Sequence, residues 1–253
     1  FDERGQGKST GNMATADTYD LTEDITAILK TLRERYPGIK LGVVGLSEGG
    51  LISTILAGRE LVDFAVLMAA PSSTGSQVLL QQTEALLAVS GMEETRIAET
   101  LAITKQVHDL VLAKGQESRQ YSSTSEALKQ EIIELYSEKT DFDQATIQSS
   151  ANTLSSPWFR TFLALDPLPY FLEIDVPILA LTGTKDLQVL MDPNFLDIQS
   201  VLGSRDDFDA VVFEDLNHVF QQAETGSVSE YLQPNPMIEQ RVISTITAWL
   251  DQL

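Results

Sequence analysis

The chain has 253 residues, 43% of them hydrophobic, with 37 acidic against 17 basic side chains and a net charge of −20. That is enough apolar material for a sizeable core, yet no apolar run approaches the roughly 18 residues of a membrane-spanning helix. So much negative charge also argues against nucleic acid or an anionic membrane as partner. With no cysteine and two histidines, disulfides, thiolate chemistry and Cys-zinc sites are excluded, and neither a metal nor a cofactor is expected.

The opening, Phe1-Asp-Glu-Arg-Gly-Gln-Gly-Lys-Ser-Thr10, reads as the exit of a strand followed by a Gly-punctuated polar loop. It starts in mid-motif, and the expectation is that the natural N-terminus, and any signal peptide with it, lies upstream. Across 19–36, Leu21, Ile25, Ile28, Leu29 and Leu32 recur at helical spacing, with Asp17 or Thr18 as cap and Tyr36-Pro37-Gly38 as stop. An apolar strand at 41–44 then enters Gly45-Leu46-Ser47-Glu48-Gly49, and a helix carrying Leu51, Ile52, Ile55 and Leu56 leaves it. This is the G-x-S-x-G pattern of a sharp strand-to-helix turn that exposes a nucleophilic serine. A Cβ at either flanking glycine is expected to crowd the approach of strand and helix. The N–H of Glu48, at the helix N-terminus, is placed to donate to a developing oxyanion.

Residues 64–68 form a continuous apolar run, as in a buried parallel strand. From about 75 to 171 the pattern is helical, clearest at 78–89, 94–113 and 125–136, with breaks at Gly115, 122–125 and 140–143. Trp158, Phe159 and Phe162 make its most aromatic patch, which serves equally as pocket wall or as the insert's own core. Strands resume at 176–181, leading to Thr182-Gly-Thr-Lys-Asp186, and at 210–213, leading to Glu214-Asp-Leu-Asn-His218. Helices are expected near 194–202 and 236–253. Strand and helix alternation around a helical insert predicts an α/β core, 1–74 and 172–253, with a cap at 75–171 over the C-terminal strand ends.

A serine hydroxyl needs a base, and the base an orienting carboxylate. His218, in a loop after the last strand, is the candidate base; His108 sits within a helical pattern and reads as a core or surface histidine. Asp186 is the candidate acid because it follows an adjacent strand end, with Asp192, Glu214 and Asp215 as competitors.

Ser47 in G-L-S-E-G-G, Asp186 in L-T-G-T-K-D-L-Q-V and His218 in L-N-H-V-F-Q together resemble the α/β-hydrolase superfamily. They are similar in particular to its bacterial esterase-like group, the serine aminopeptidase-like and acyl-CoA-thioesterase-like hydrolases. F-D-E-R-G-Q-G-K-S-T-G resembles that group's loop after the fourth strand, and S-P-W-F-R-T-F-L-A-L-D-P the end of its helical cap. The resemblance implies a mostly parallel doubly wound sheet with a cap, the first strands of the family's sheet being absent here. It also implies that the oxyanion donor after the family's third strand has no counterpart in this sequence. Leu46 stands where the group often has histidine and is expected to alter the pocket wall. The implied activity is cleavage of small-to-medium neutral carboxylic esters through an acyl-enzyme on Ser47. Thioester hydrolysis, acyl transfer or aminopeptidase action would use the same residues, and a non-catalytic partner-binding module is the alternative. The expected partner is a small ester, with homo-oligomerisation open and the compartment, cytoplasmic or secreted, undetermined.

Overall fold

A computed structural model describes residues 1–115, 125–140, 142–232 and 237–253. In chain order, helix α1 (Thr18–Arg35) precedes strand β1 (Gly42–Leu46), α2 (Glu48–Gly58), β2 (Phe64–Met68) and α3 (Gly75–Val89). A run of helices follows: α4 (Glu94–Gly115), α5 (Glu126–Lys139), α6 (Gln144–Leu154), α7 (Pro157–Ala164) and α8 (Leu168–Leu172). The alternation then resumes with β3 (Ile178–Gly183), α9 (Leu196–Leu202), β4 (Phe208–Phe213) and α10 (Gln240–Leu250). The expected break at 122–125 lies largely outside the described residues, as does the expected start of the last helix at Pro236. Helices α6, α7 and α8 extend the helical region beyond the three segments that periodicity singled out.

The chain divides into two compact units, Phe1–Asp24 with Glu94–Leu165, and Ile25–Glu93 with Asp166–Leu253. This cut gives α3 to the unit that holds the sheet and the first 24 residues to the helical one, where the sequence pattern divides the chain at 74 and 172.

In the sheet unit the strands run parallel in the order β1-β2-β3-β4. The apolar runs of the central strands β2 and β3 are continuous because both of their faces are covered. Val66 and Met68 pair with Leu179 and Leu181 and pack with Phe213, Leu216, Val242 and Trp249 on the face that α10 covers. Trp249 also donates Nε1–H to Asp209 Oδ2 at 2.9 Å, so the indole keeps a polar partner at the edge of an apolar cluster. On the alternate face, Leu67 and Ala180 meet Phe195 and Ile198. Edge strand β1 leaves Val44 largely exposed.

In the helical unit, Leu128, Ile132, Ile147, Ala151 and Leu163 are buried. Side-chain caps from Ser125, Asp143 and Ser156 start α5, α6 and α7. Arg4 holds Asp24 with two hydrogen bonds of 2.6 and 2.8 Å, and Asp17 accepts from Thr161 Oγ1 at 2.8 Å. The opening loop is thereby tied to both the start of α1 and α7. No helix among the described residues is long and apolar enough to cross a membrane.

Candidate active site

Because the four strands are parallel, the segments that follow β1, β3 and β4 all leave the same end of the sheet. They carry Ser47, Asp186 and His218.

Ser47 stands between β1 and α2 with φ 57° and ψ −119°, a conformation that costs a non-glycine residue about 1–3 kcal/mol. The turn is anchored on both sides. Ser47 N–H donates to Met68 O at 2.9 Å, and Leu51 N–H to Ser47 O at 3.0 Å. The side chain does not cap α2, so its hydroxyl is not spent on the helix it starts. Steric demand explains the glycines, with one correction to the motif's reading. A Cβ on Gly45 would lie 1.9 Å from Gly49 O and 2.4 Å from Ser53 Oγ, whereas one on Gly49 meets nothing within 4 Å. The second obligatory glycine is Gly50, where a Cβ would lie 2.7 Å from Ala70 Cβ. Gly49 contributes its carbonyl to the crowding; its own Cβ position faces open space.

Asp186 and His218 are brought together by a close approach of two loops. Lys185 N–H donates to Leu216 O at 2.9 Å and Thr184 N–H to Phe213 O at 3.0 Å. Gly183 permits this, since a Cβ there would lie 2.2 Å from Leu216 O. The result is a buried pair, His218 Nδ1 lying 2.9 Å from Asp186 Oδ2 and 3.1 Å from Oδ1. A carboxylate only accepts, so the hydrogen of this pair sits on Nδ1 and leaves Nε2 as the basic nitrogen. The carboxylate is itself held, Oδ1 accepting from Gln188 N–H at 2.8 Å and Val189 N–H at 3.0 Å. Among the described residues no hydrogen bond joins Asp192, Glu214 or Asp215 to His218, and none joins Ser47 to it. Glu214 instead accepts from Thr184 Oγ1 at 3.4 Å.

Asn217 was not singled out by the sequence reading, yet it builds the histidine loop. Fully buried, its Oδ1 accepts from Val219 N–H at 3.1 Å and Gln221 N–H at 3.0 Å, wrapping the backbone around His218. An Asn directly before a loop histidine is a local turn signal, so this much was readable. Asn194 was not. Buried, it accepts from Ser72 and Ser73 N–H, both at 3.1 Å, and donates to Gln81 Oε1 at 3.2 Å. It thereby ties the exit of β2 to the segment before α9. A cleft of about 450 Å³ opens beside this brace, lined in part by Ser72, Thr74, Gln81, Asp166, Phe171 and Asp197. Its polar groups bond one another, Ser72 Oγ to Asp197 Oδ2 at 3.1 Å for example, and no candidate catalytic side chain lines it.

The remaining candidates fall as follows. Glu48 is the first residue of α2. Leu46, at the end of β1, packs against the sheet's apolar cluster. Phe159 and Phe162 are buried; Trp158 stacks on Phe162 with ring centroids 5.1 Å apart. His108 is buried edge-on against Phe159, and burial pulls its imidazole down to about 4, so it is neutral at physiological pH. No cluster of three or more metal-ligating side chains occurs among the described residues.

A family model described as "Serine aminopeptidase, S33" matches residues 1–221. The chain is 23% identical over 231 residues to esterase EstD of Thermotoga maritima, covering 91% of this chain and 47% of that protein. It therefore spans about half the length of the curated relative it matches. Among solved structures, an esterase of Pyrococcus furiosus superposes with a TM-score of 0.53 at 15% identity, over 99% of this chain and 68% of that one. A meta-cleavage product hydrolase from Pseudomonas fluorescens gives 0.50 at 19%, over 99% and 78%. At such identities the superpositions establish the fold, a parallel α/β-hydrolase sheet.

Proposed function

Since the chain belongs to the serine aminopeptidase (S33) family of α/β-hydrolases, we propose that it hydrolyses carboxylic esters with Ser47 as nucleophile, His218 as base and Asp186 as its orienting acid. The observation that carries this reading is the buried Asp186–His218 pair at the sheet end where Ser47 occupies a strained turn. Ser47 Oγ attacks the acyl carbonyl as His218 Nε2 takes its proton. Asp186 keeps hydrogen on Nδ1 and stabilises the imidazolium that forms. The oxyanion draws on the N–H of Glu48 at the start of α2. Collapse breaks the ester C–O bond, His218 returns the proton to the leaving alcohol, and an acyl-Ser47 remains. Water, deprotonated by His218, then attacks that acyl group and releases the acid. The esterase named among its relatives favours an ester substrate over an amide, and a small-to-medium neutral one is proposed because the sequence carries no basic pocket signature.

The test is the intact mass of the full-length protein after exposure to a fluorophosphonate. One phosphonyl adduct, absent from Ser47→Ala at unchanged thermal midpoint, is expected. An adduct that persists in Ser47→Ala, or none on folded wild type, would sink the assignment.

A further inference from the structure

Asp186 is held by the backbone N–H of Gln188, and the side chain of Gln188 is held in turn from two sides. Its Oε1 accepts from Gln82 Nε2 at 3.2 Å, and its Nε2 donates to Tyr231 Oη at 2.9 Å. Gln82 lies on α3, which follows β2; Tyr231 lies in a short helical turn, Val228–Leu232, downstream of His218. Both polar ends of one amide are therefore used, and the two partners come from chain segments 106 and 43 residues away. Burial pushes the Tyr231 phenol up, against the Gln188 hydrogen bond that pulls it down, and the nearby charges of Asp186 and Glu230 add to the rise. The phenol is thus a neutral acceptor for Gln188 at ordinary pH.

We propose that Gln188 is a positioning residue for the reaction: clamped between Gln82 and Tyr231, its side chain fixes the turn whose N–H aims the Asp186 carboxylate at His218. The proposal rests on the functional reading above and deepens it. Backbone bonds hold the start of the turn, Lys185 N–H to Leu216 O at 2.9 Å and Asp186 N–H to Gly183 O at 3.2 Å, while the Gln188 amide ties its far side to α3 and to Tyr231. A short loop with one carboxylate accepting two successive N–H groups can pivot as a unit, and a pivot would carry Oδ2 away from Nδ1. Each side-chain hydrogen bond removes one direction of pivot. Gln82 holds the turn from α3, and Tyr231 holds it from the segment that continues the histidine loop, so acid and base are referred to a common frame. A misplacement of about 1 Å at such a site costs on the order of 100-fold in rate, which makes a bond remote from the chemistry matter.

The readouts are the second-order rate of fluorophosphonate labelling of the full-length protein and the low-field proton resonance of His218 Nδ1–H. Gln188→Ala keeps the backbone donor and removes the clamp; labelling should slow about tenfold, the effect of losing two ordinary hydrogen bonds, and the resonance should move upfield. With an ester substrate the loss should fall on kcat and leave KM unchanged. Tyr231→Phe, which removes one partner at little cost to packing, should slow labelling about threefold. Combined with Gln188→Ala it should add nothing further. Gln188→Glu can accept from both Gln82 and the Tyr231 hydroxyl, and should recover most of the rate. Wild-type labelling and resonance in Gln188→Ala at unchanged thermal midpoint, or additive losses in the double variant, would overturn the proposal. If wild type itself does not label, the functional reading fails; the Nδ1–H resonance still decides whether Gln188 aims Asp186.

Discussion

At the end of β1, Ser47 is fixed by backbone atoms that leave no room for a Cβ; at the ends of β3 and β4, Asp186 and His218 are fixed by hydrogen bonds to buried polar groups. The serine turn makes its position through exclusion and two backbone hydrogen bonds, with no side-chain bond to hold it. Gly45 and Gly50 let strand, helix and the exit of β2 close to van der Waals contact, and Ser47 is left with the one backbone conformation that fits. The acid and base share a close approach at Gly183 but add hydrogen bonds made by side chains. Asp186 accepts two N–H groups, Asn217 Oδ1 accepts two more around His218, and Gln188 and Gln82 extend the network to α3. Exclusion is stiff and fails all at once. A hydrogen-bonded loop fails by degrees, and its members can be exchanged for others with the same donors and acceptors.

The largest expected effect comes from breaking the excluded-volume side. Gly45→Ala puts a Cβ 1.9 Å from a carbonyl oxygen, which no side-chain rotation relieves. The cost should be about 3 kcal/mol, the upper end of the usual overpacking range, or more, visible in urea denaturation as a lowered midpoint or as failure to fold. A stable Gly45→Ala protein that still labels with fluorophosphonate would show that the turn has slack and remove the contrast.

On the hydrogen-bonded side the expected loss is smaller and graded. Asn217→Ala strips the acceptor from Val219 and Gln221 N–H. Leaving such groups unsatisfied costs about 1–3 kcal/mol, and labelling should fall about tenfold or more as the His218 loop loosens. Asn217→Asp keeps the acceptor oxygen and should lose less on both measures. Equal losses in the two variants would mean that the two bonds accepted by Asn217 Oδ1 are not what holds the His218 loop.

The same division governs what the sequence made legible. The serine turn is a local object, and so Gly45, Ser47 and the helix after it declare themselves within a few residues. The strands do so through continuous apolar runs, and β2 appears with the bounds expected of it. Asp186 and His218 follow from chain order and strand ends. The bonds that hold them do not. Gln82, Gln188 and Tyr231 are ordinary polar residues in sequence and meet only after folding, across separations that no periodicity records. The same holds for Asn194, which joins the exit of β2 to the segment before α9. Helices α6 and α7 were readable in part, because Asp143 caps one and Ser156 with Pro157 opens the other. They are short, and eight to eleven residues give too few turns for helical spacing to stand out from the loops around them.

The smallest predicted effect sharpens the comparison most. In the motif Gly45 and Gly49 look equivalent, one on each side of Ser47, and a pattern alone assigns both the same steric duty. In the fold they differ: Gly45 points its missing side chain into the helix, Gly49 into open space. Gly49 is the second residue of α2, where alanine is a better helix former than glycine by up to about 1 kcal/mol. Gly49→Ala should therefore leave stability unchanged or raise it by less than that amount, with fluorophosphonate labelling close to wild type. Loss of labelling at full stability would mean that the open space beside Gly49 is needed by the incoming reagent, making the second glycine a requirement of access and not of folding. Loss of stability would mean that β1 and α2 approach more closely than this geometry allows, and that exclusion governs both sides of the serine.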